Sequence, residues 1–317
     1  MVSNSKRLYF IAVISIIFAF LVGYSAIGER VVYDSSDHKV ELEQTPGRVI
    51  TTTPSTTEIG FDLGLSSAIV GVNSLTQYLS YAPNIQSAAE EKEKIGRFNI
   101  SAEKIVSLKP DLVIADLGTQ MELIKKLRDL EINVYAVGSG DLEDIQESVL
   151  DLGYLTDKYD RAQDIVARML FKQFKLEEAV SKLEEKKRVL YIIDDTIYTT
   201  GPDTFLGNIL EMAGLSNIFS DISGYKKVSD EVIIERNPEV IVSGPQEIVG
   251  LTEQKLKNRA GFNNIKAVKD GNIVFLTEED NSMISQPATM VVDGAISLFE
   301  KVYDKKLNIK YQSRFKE

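Results

Sequence analysis

An apolar run at residues 8–27 opens the chain behind Lys6 and Arg7; its clearly polar members are Ser15 and Ser25, with Tyr9 and Tyr24 near its ends. About 20 apolar residues span a bilayer as a helix, and a basic flank stays inside and sends the rest of the chain outward. The length of the run favours a retained anchor. Gly23-Tyr24-Ser25, with small residues spaced for cleavage before Ala26, fits a secretory signal instead. Either reading exports the chain.

Beyond residue 28 the pattern alternates between short apolar, β-branched runs and helical periods. Residues 30–34 and 39–43 predict a small hairpin around Ser35-Ser36-Asp37. Residues 49–52, 68–72, 112–115 and 134–137 predict buried strands, and 56–63 a helix capped by Ser55 and closed by Gly64. Such alternation implies a mostly parallel sheet covered by helices. Residues 157–185 break it. They hold no Gly or Pro, and Ala162, Val166, Met169, Leu176, Val180 and Leu183 recur at helical spacing. A helix of that length runs about 43 Å and can bridge two lobes. Alternation then resumes with strands at 189–193, 240–242 and 273–276 and helices at 204–212 and 290–303. The expected organisation is an anchor or signal (1–28), an α/β lobe (29–151), a long connecting helix (152–187), a second α/β lobe (188–304) and a basic, peripheral tail (305–317). The expected fold class is α/β: two similar lobes with mostly parallel sheets flanked by helices, joined by one long inter-lobe helix.

The halves repeat. ISAEKIVSLKPDLVI (100–114) aligns without a gap to VSDEVIIERNPEVIV (228–242), matching Ser101 to Ser229, Glu103 to Glu231 and Pro110 to Pro238. Each copy predicts a serine-capped helix of about two turns, stopped by proline and followed at once by a buried strand. Arg48-Val49-Ile50 echoes Arg188-Val189-Leu190, and Leu63-Gly64-Leu65 echoes Ala213-Gly214-Leu215. A duplicated lobe leaves a cleft, and domain interfaces favour ligands. A single helix as the only crossing limits closure.

Composition removes classes of function. The net charge of −11 argues against nucleic acid, which needs concentrated positive charge. With no cysteine there is no disulfide, thiolate metal site, thiol nucleophile or lipidated N-terminal Cys. The single histidine, His38, leaves no Ser-His triad and little for zinc or manganese. No Walker loop is present; Gly138-Ser139-Gly140 reads as a strand end before a helix. An enzyme is not expected.

RVITTTPSTTEIGFDLGLSSAIVGV (48–72), SAEKIVSLKPDLVIA (101–115), TFLGNILEMAGLSNIF (204–219) and RAGFNNIKAVKDGNIVFL (259–276) resemble, in order, the signatures of the helical-backbone, class III, periplasmic solute-binding proteins. These serve ABC importers of cobalamin, ferric siderophores and haem. The resemblance covers residues 30–303. It implies an extracytoplasmic binding protein, tethered or secreted, acting as a monomer with an ABC permease and its ATPase. It implies no resident cofactor; the iron chelate, corrinoid or haem is cargo. It also implies that Glu103 and Glu231, one per lobe, engage permease arginines, a role that charge-assisted bonds suit.

Ligand contacts are expected on loops after the carboxyl ends of strands. Ser55, Tyr78, Arg97, Phe98, Tyr198 and Tyr225 are the candidates, since aromatic faces and a few polar groups hold large planar ligands. Arg97, with Lys226 and Lys227, suits a negative complex. The absence of Trp departs from cobalamin-binding relatives, and a haem iron would find only Tyr as axial ligand. An iron chelate and a corrinoid rank together, ahead of haem and then a bare metal ion. The alternatives are a surface receptor without a permease and a chelatase-like enzyme of similar architecture.

Overall fold

A computed structural model of the chain describes residues 29–138 and 140–315. Strands β1 (Arg30–Tyr33) and β2 (Lys39–Leu42) form the predicted antiparallel hairpin. Buried Asp34 pins it to the first lobe by an ion pair with Arg128 and by accepting from the Ala136 N–H at 2.9 Å. The first lobe is an all-parallel sheet in the order β5-β4-β3-β6-β7, made of β3 (Val49–Thr51), β4 (Ile69–Val72), β5 (Glu93–Lys94), β6 (Leu112–Asp116) and β7 (Val134–Val137). Its helices are α1 (Pro54–Asp62), α2 (Pro83–Glu90), α3 (Ala102–Ser107), α4 (Leu117–Asp129) and α5 (Leu142–Leu155).

Helix α6 (Tyr159–Val180) carries the chain to the second lobe. This is shorter than the 157–185 expected. Residues 152–155 belong to α5, and Asp157, at φ 60, turns the chain between the two helices. The crossing element is therefore about 33 Å long. The second sheet runs β10-β8-β12-β13, from β8 (Arg188–Ile192), β10 (Ser216–Asn217), β12 (Val240–Ser243) and β13 (Ile273–Phe275). An antiparallel pair, β9 (Tyr198–Thr200) with β11 (Tyr225–Lys227), stands beside it. Helices α7 (Phe205–Met212), α8 (Asp230–Arg236), α9 (Gln246–Val249), α10 (Glu253–Asn258), α11 (Lys266–Lys269), α12 (Glu278–Ser285) and α13 (Val291–Tyr303) complete it.

The sequence repeat is a structural repeat. Ser101 and Ser229 cap α3 and α8, accepting from the Lys104 and Val232 N–H groups. Lys109 and Asn237, equivalent positions, both turn left-handed, at φ 48 and 44. The Arg48 guanidinium donates to the Leu108 carbonyl at the end of α3, and Arg188 donates to the equivalent Arg236 carbonyl at the end of α8. Asp111 and Glu239 accept from the backbone N–H groups of those same arginines. Asn133 and Asn272 each donate at 3.3 Å to the matching carbonyls of Asp111 and Glu239. Gly64 and Gly214 close α1 and α7 at φ 79 and 72, backbone that a Cβ would strain.

Strand alternation sorts the core. Val49, Leu112, Ile114, Tyr135, Val137, Val189, Tyr191, Val240 and Val242 point into one apolar cluster that runs through both lobes and includes Ala162, Ile165 and Met169 of α6 and Phe299 of α13. The opposite faces belong to separate clusters: Ile50, Val113 and Ala136 in the first lobe, Leu190, Ile192 and Ile241 in the second.

Two further expectations change. The tail is not peripheral: buried Asp164 of α6 accepts from Tyr311 Oη at 3.2 Å, Ser313 Oγ at 2.5 Å and the Arg314 N–H at 3.2 Å. Nor is α6 the only bridge between lobes. The segment leading into α13 returns to the first lobe, where Thr289 Oγ1 and the Met290 N–H reach Glu58 of α1. The predicted membrane run, 8–27, lies outside the described residues; among those described, no helix is long and apolar enough to cross a membrane.

Candidate functional site

In both lobes the parallel strands end on one edge, and the loops leaving that edge carry the candidate residues. After β3, Thr53 rather than Ser55 caps α1: its Oγ1 accepts from the Thr56 N–H at 3.2 Å, and Thr56 Oγ1 accepts from the Thr53 N–H at 3.0 Å. Pro54 at the first helical position moves the start upstream of the expected place. Ser55 is buried and bonds Thr53 Oγ1 at 2.8 Å, so it offers little to a solute. After β4 a 3₁₀ turn, Thr76–Leu79, carries half-buried Tyr78, whose carbonyl accepts from Gln286 Nε2 of the second lobe at 2.8 Å. Tyr78 thus sits where the lobes touch. A second bridge runs from Asn208 Nδ2 of α7 to the Gly140 carbonyl at 3.2 Å.

After β5 the chain exposes Arg97 and Phe98. Phe98 is 77% exposed, and the Arg97 guanidinium lies over its ring at 5.3 Å. Arg97 has no carboxylate within ion-pair distance among the described residues. Asn73 fixes this edge, donating to the carbonyls of Thr52 at 2.9 Å and Arg97 at 2.8 Å.

In the second lobe Tyr198 and Tyr225 occupy the β9–β11 ladder, paired with Lys227 and Thr200. Partners in a ladder share a face, so both tyrosines and Lys227 project to one side. Tyr198 is 40% and Tyr225 52% exposed. Burial raises the Asp194 carboxyl, but hydrogen bonds from Thr196 and the Tyr198 N–H outweigh it, and a hydrogen bond from Ser223 with the Gly224 N–H lowers Asp203, so both stay below the usual carboxylate range with Lys227 and Lys226 nearby. These lysines therefore have acids beside them, whereas Arg97 does not. Behind the ladder, buried Tyr191 donates to Asn281 Oδ1 at 3.2 Å, and burial pushes its phenol up.

Two exposed apolar residues on these edges escaped the sequence reading. Met121 follows a break in α4 at Gln120 (φ −129), whose side chain folds back to Thr52 and to the Asp116 N–H. Ile248 stands on α9, just after β12. An unpaired Met in the first turns of an otherwise polar helix start, DLGTQME, was the available signal.

Glu103 and Glu231 occupy the same place in the first turns of α3 and α8, both exposed. Their surroundings differ. A hydrogen bond from Lys126 at 2.9 Å, joined by the Glu103 backbone N–H and Ser101, holds the Glu103 carboxyl down at about 2. Glu231 is lowered by its own backbone N–H and Ser229, with no cation in reach among the described residues. No cluster of three or more acidic or imidazole groups that could hold a metal ion occurs among the described residues.

Residues 49–279 match the family model described as periplasmic binding protein. The chain is 29% identical over 278 residues to an uncharacterized ABC transporter substrate-binding lipoprotein of Bacillus subtilis, covering 85% of this chain and 84% of that one. It is 29% identical over 267 residues to a cobalamin-binding protein of Halobacterium salinarum, covering 82% and 70%. A solved structure of a possible iron-binding periplasmic solute-binding protein from Staphylococcus epidermidis superposes with a TM-score of 0.68 at 28% identity, covering 82% of this chain and all of that one. With two duplicated lobes on a helical backbone and this match over most of its length, the chain belongs to the periplasmic binding proteins, as an extracytoplasmic substrate-binding component of an ABC importer and not an enzyme.

Proposed function

We propose that the protein captures an iron chelate or a corrinoid between its lobes and delivers it to a membrane permease, docking as a monomer through Glu103 and Glu231 and held to the membrane by residues 8–27. The observation that carries the solute class is the pairing of exposed aromatic faces on both edges, Phe98 on one lobe and Tyr198 with Tyr225 on the other, with an uncompensated Arg97 stacked on Phe98. Flat, partly apolar solutes bury well against such faces, and the cation favours a negatively charged complex. Met121 and Ile248 add apolar surface on the same edges. The equivalence of the two first-turn glutamates supports docking, because two matched acids can meet two copies of one permease surface.

A thermal-shift titration with cobalamin, cobinamide, ferric siderophores and haemin tests the solute. The expected result is saturable stabilisation by one class, about 2.7 kcal/mol at one hundred times Kd. Arg97→Ala and Phe98→Ala should weaken that binding at least tenfold. Stabilisation by none of these compounds sinks the reading. Charge reversal at both Glu103 and Glu231 should abolish solute-stimulated ATPase of the reconstituted importer while leaving solute affinity unchanged.

A further inference from the structure

Two carboxyl groups share one hydroxyl at the seam between the lobes. Glu58 lies fully buried on α1, and Thr289 Oγ1, arriving from the second lobe, is hydrogen-bonded to both Glu58 Oε1, at 2.7 Å, and Asp62 Oδ2. A threonine hydroxyl donates only one proton. Both contacts can be hydrogen bonds only if one carboxyl carries a proton of its own. Asp62 is ion-paired with the Arg168 guanidinium at 3.3 Å. Among the described residues Glu58 has no cation within ion-pair distance. It receives the Met290 N–H at 2.8 Å and the Tyr81 hydroxyl, and Asp62 is its acidic neighbour. The proton therefore resides on Glu58, which donates to Thr289, which in turn donates to Asp62. Burial, with Asp62 adding to the effect, pushes the Glu58 carboxyl up to about 7. Burial also pushes the Tyr81 phenol up, so it remains a donor.

The charged groups around this point come from every element packed there: Asp62 from α1, Tyr81 from the segment before α2, Arg168 and Arg161 from α6, the latter donating to the Asp62 carbonyl, and the Lys172–Asp293 pair, 2.5 Å apart, joining α6 to α13. Among the described residues none of these cations pairs with Glu58.

We propose that protonated Glu58, through Thr289, is a latch that holds the start of α13 against α1, and that its ionisation releases the two lobes into a wider arrangement. Ionisation would strengthen the bonds from Tyr81 and Met290. It would also place two buried anions on one hydroxyl, and hydration by opening the seam relieves that repulsion and desolvation. The latch regulates the cleft of the proposed binding function, but it concerns lobe geometry alone and holds whatever solute is carried.

The test needs no solute, so its failure is separate from failure of the binding reading. Because the chain has no cysteine, spin labels can be placed at Asp129→Cys and Ala260→Cys on the intact protein, and inter-lobe distances measured at pH 5.5 and 8.5. The expected result is one distance at pH 5.5 and a second, longer population at pH 8.5. In Glu58→Gln, which keeps a donor toward Thr289 without a charge, the short distance should persist at both. In Thr289→Val the long population should already be present at pH 5.5. A wild-type distance independent of pH, or a Glu58→Gln protein that still changes, overturns the proposal. If Glu58→Gln does not fold, the carboxyl ¹³C titration of wild-type Glu58 decides: ionisation already complete at pH 5.5 overturns the latch.

Discussion

Glu58 ties protonation to stability. Its folded value of about 7 stands above the unfolded 4.5, so the folded state holds a proton that the unfolded chain has already lost. Stability from this group is fully present below pH 4.5 and falls as pH rises to about 7. The difference in unfolding free energy between wild type and Glu58→Gln should therefore shift against the wild type by about 3 kcal/mol between pH 4 and 8. Denaturant melts at several pH values would show it, and a constant difference would contradict it. The two glutamates proposed to dock differ in their neighbours. Glu103 is paired with Lys126, whereas Glu231 has no cation in reach among the described residues, so docking at Glu103 would have to displace Lys126. Glu231→Ala should reduce importer stimulation more than Glu103→Ala, and Lys126→Ala should increase apparent permease affinity, both readable in a titrated ATPase assay. The two glutamates were legible in the sequence because the repeat aligned them. Glu58 was not: TTEIG reads as an ordinary amphipathic helix, and the partner that buries it lies 231 residues away.

At the scale of elements, strands and most helices were legible because alternation and period are local. Where the reading missed, a local signal had been outweighed. Helix α6 begins at Tyr159 because Gly153 lets α5 fold back on it: a Cβ at 153 would sit 2.3 Å from that of Ala162. In an open helix Gly→Ala would stabilise by about 0.5–1 kcal/mol. Here Gly153→Ala should destabilise by about 2 kcal/mol, since two helices must separate. The tail looked peripheral because it is short, basic and aperiodic, yet Asp164 of α6 gathers it through three hydrogen bonds, and Tyr311 packs on Phe171 with centroids 5.8 Å apart. Asp164→Ala should cost about 1–3 kcal/mol and expose residues 305–315 to limited proteolysis. Loss of stability without proteolysis would place the effect elsewhere.

Across the whole molecule, the cluster shared by both sheets, α6 and α13 makes the duplicated lobes one packing unit. Interiors packed in this way do not shear freely. At pH 5.5, where Glu58 is protonated and the seam closed, solute-free and solute-loaded protein should differ by only about 1 Å in backbone position, and calorimetry should give a single transition rather than one per lobe. Two resolved transitions would show that the shared cluster is not cooperative. The duplication itself was visible as a repeat; the continuity of the core was not, because strand alternation says that two faces are buried but not that one face of each sheet meets the other.

The return of Thr289 and Met290 to Glu58 bears on biogenesis. A chain made from its N-terminus presents Glu58 early and the residues that enclose it 231 and 232 positions later. Until they emerge, the glutamate remains wet and charged, and the first lobe lacks its lid. The first lobe therefore cannot enclose Glu58 until most of the second lobe has been made, which leaves the early part of the chain pliable through much of its synthesis.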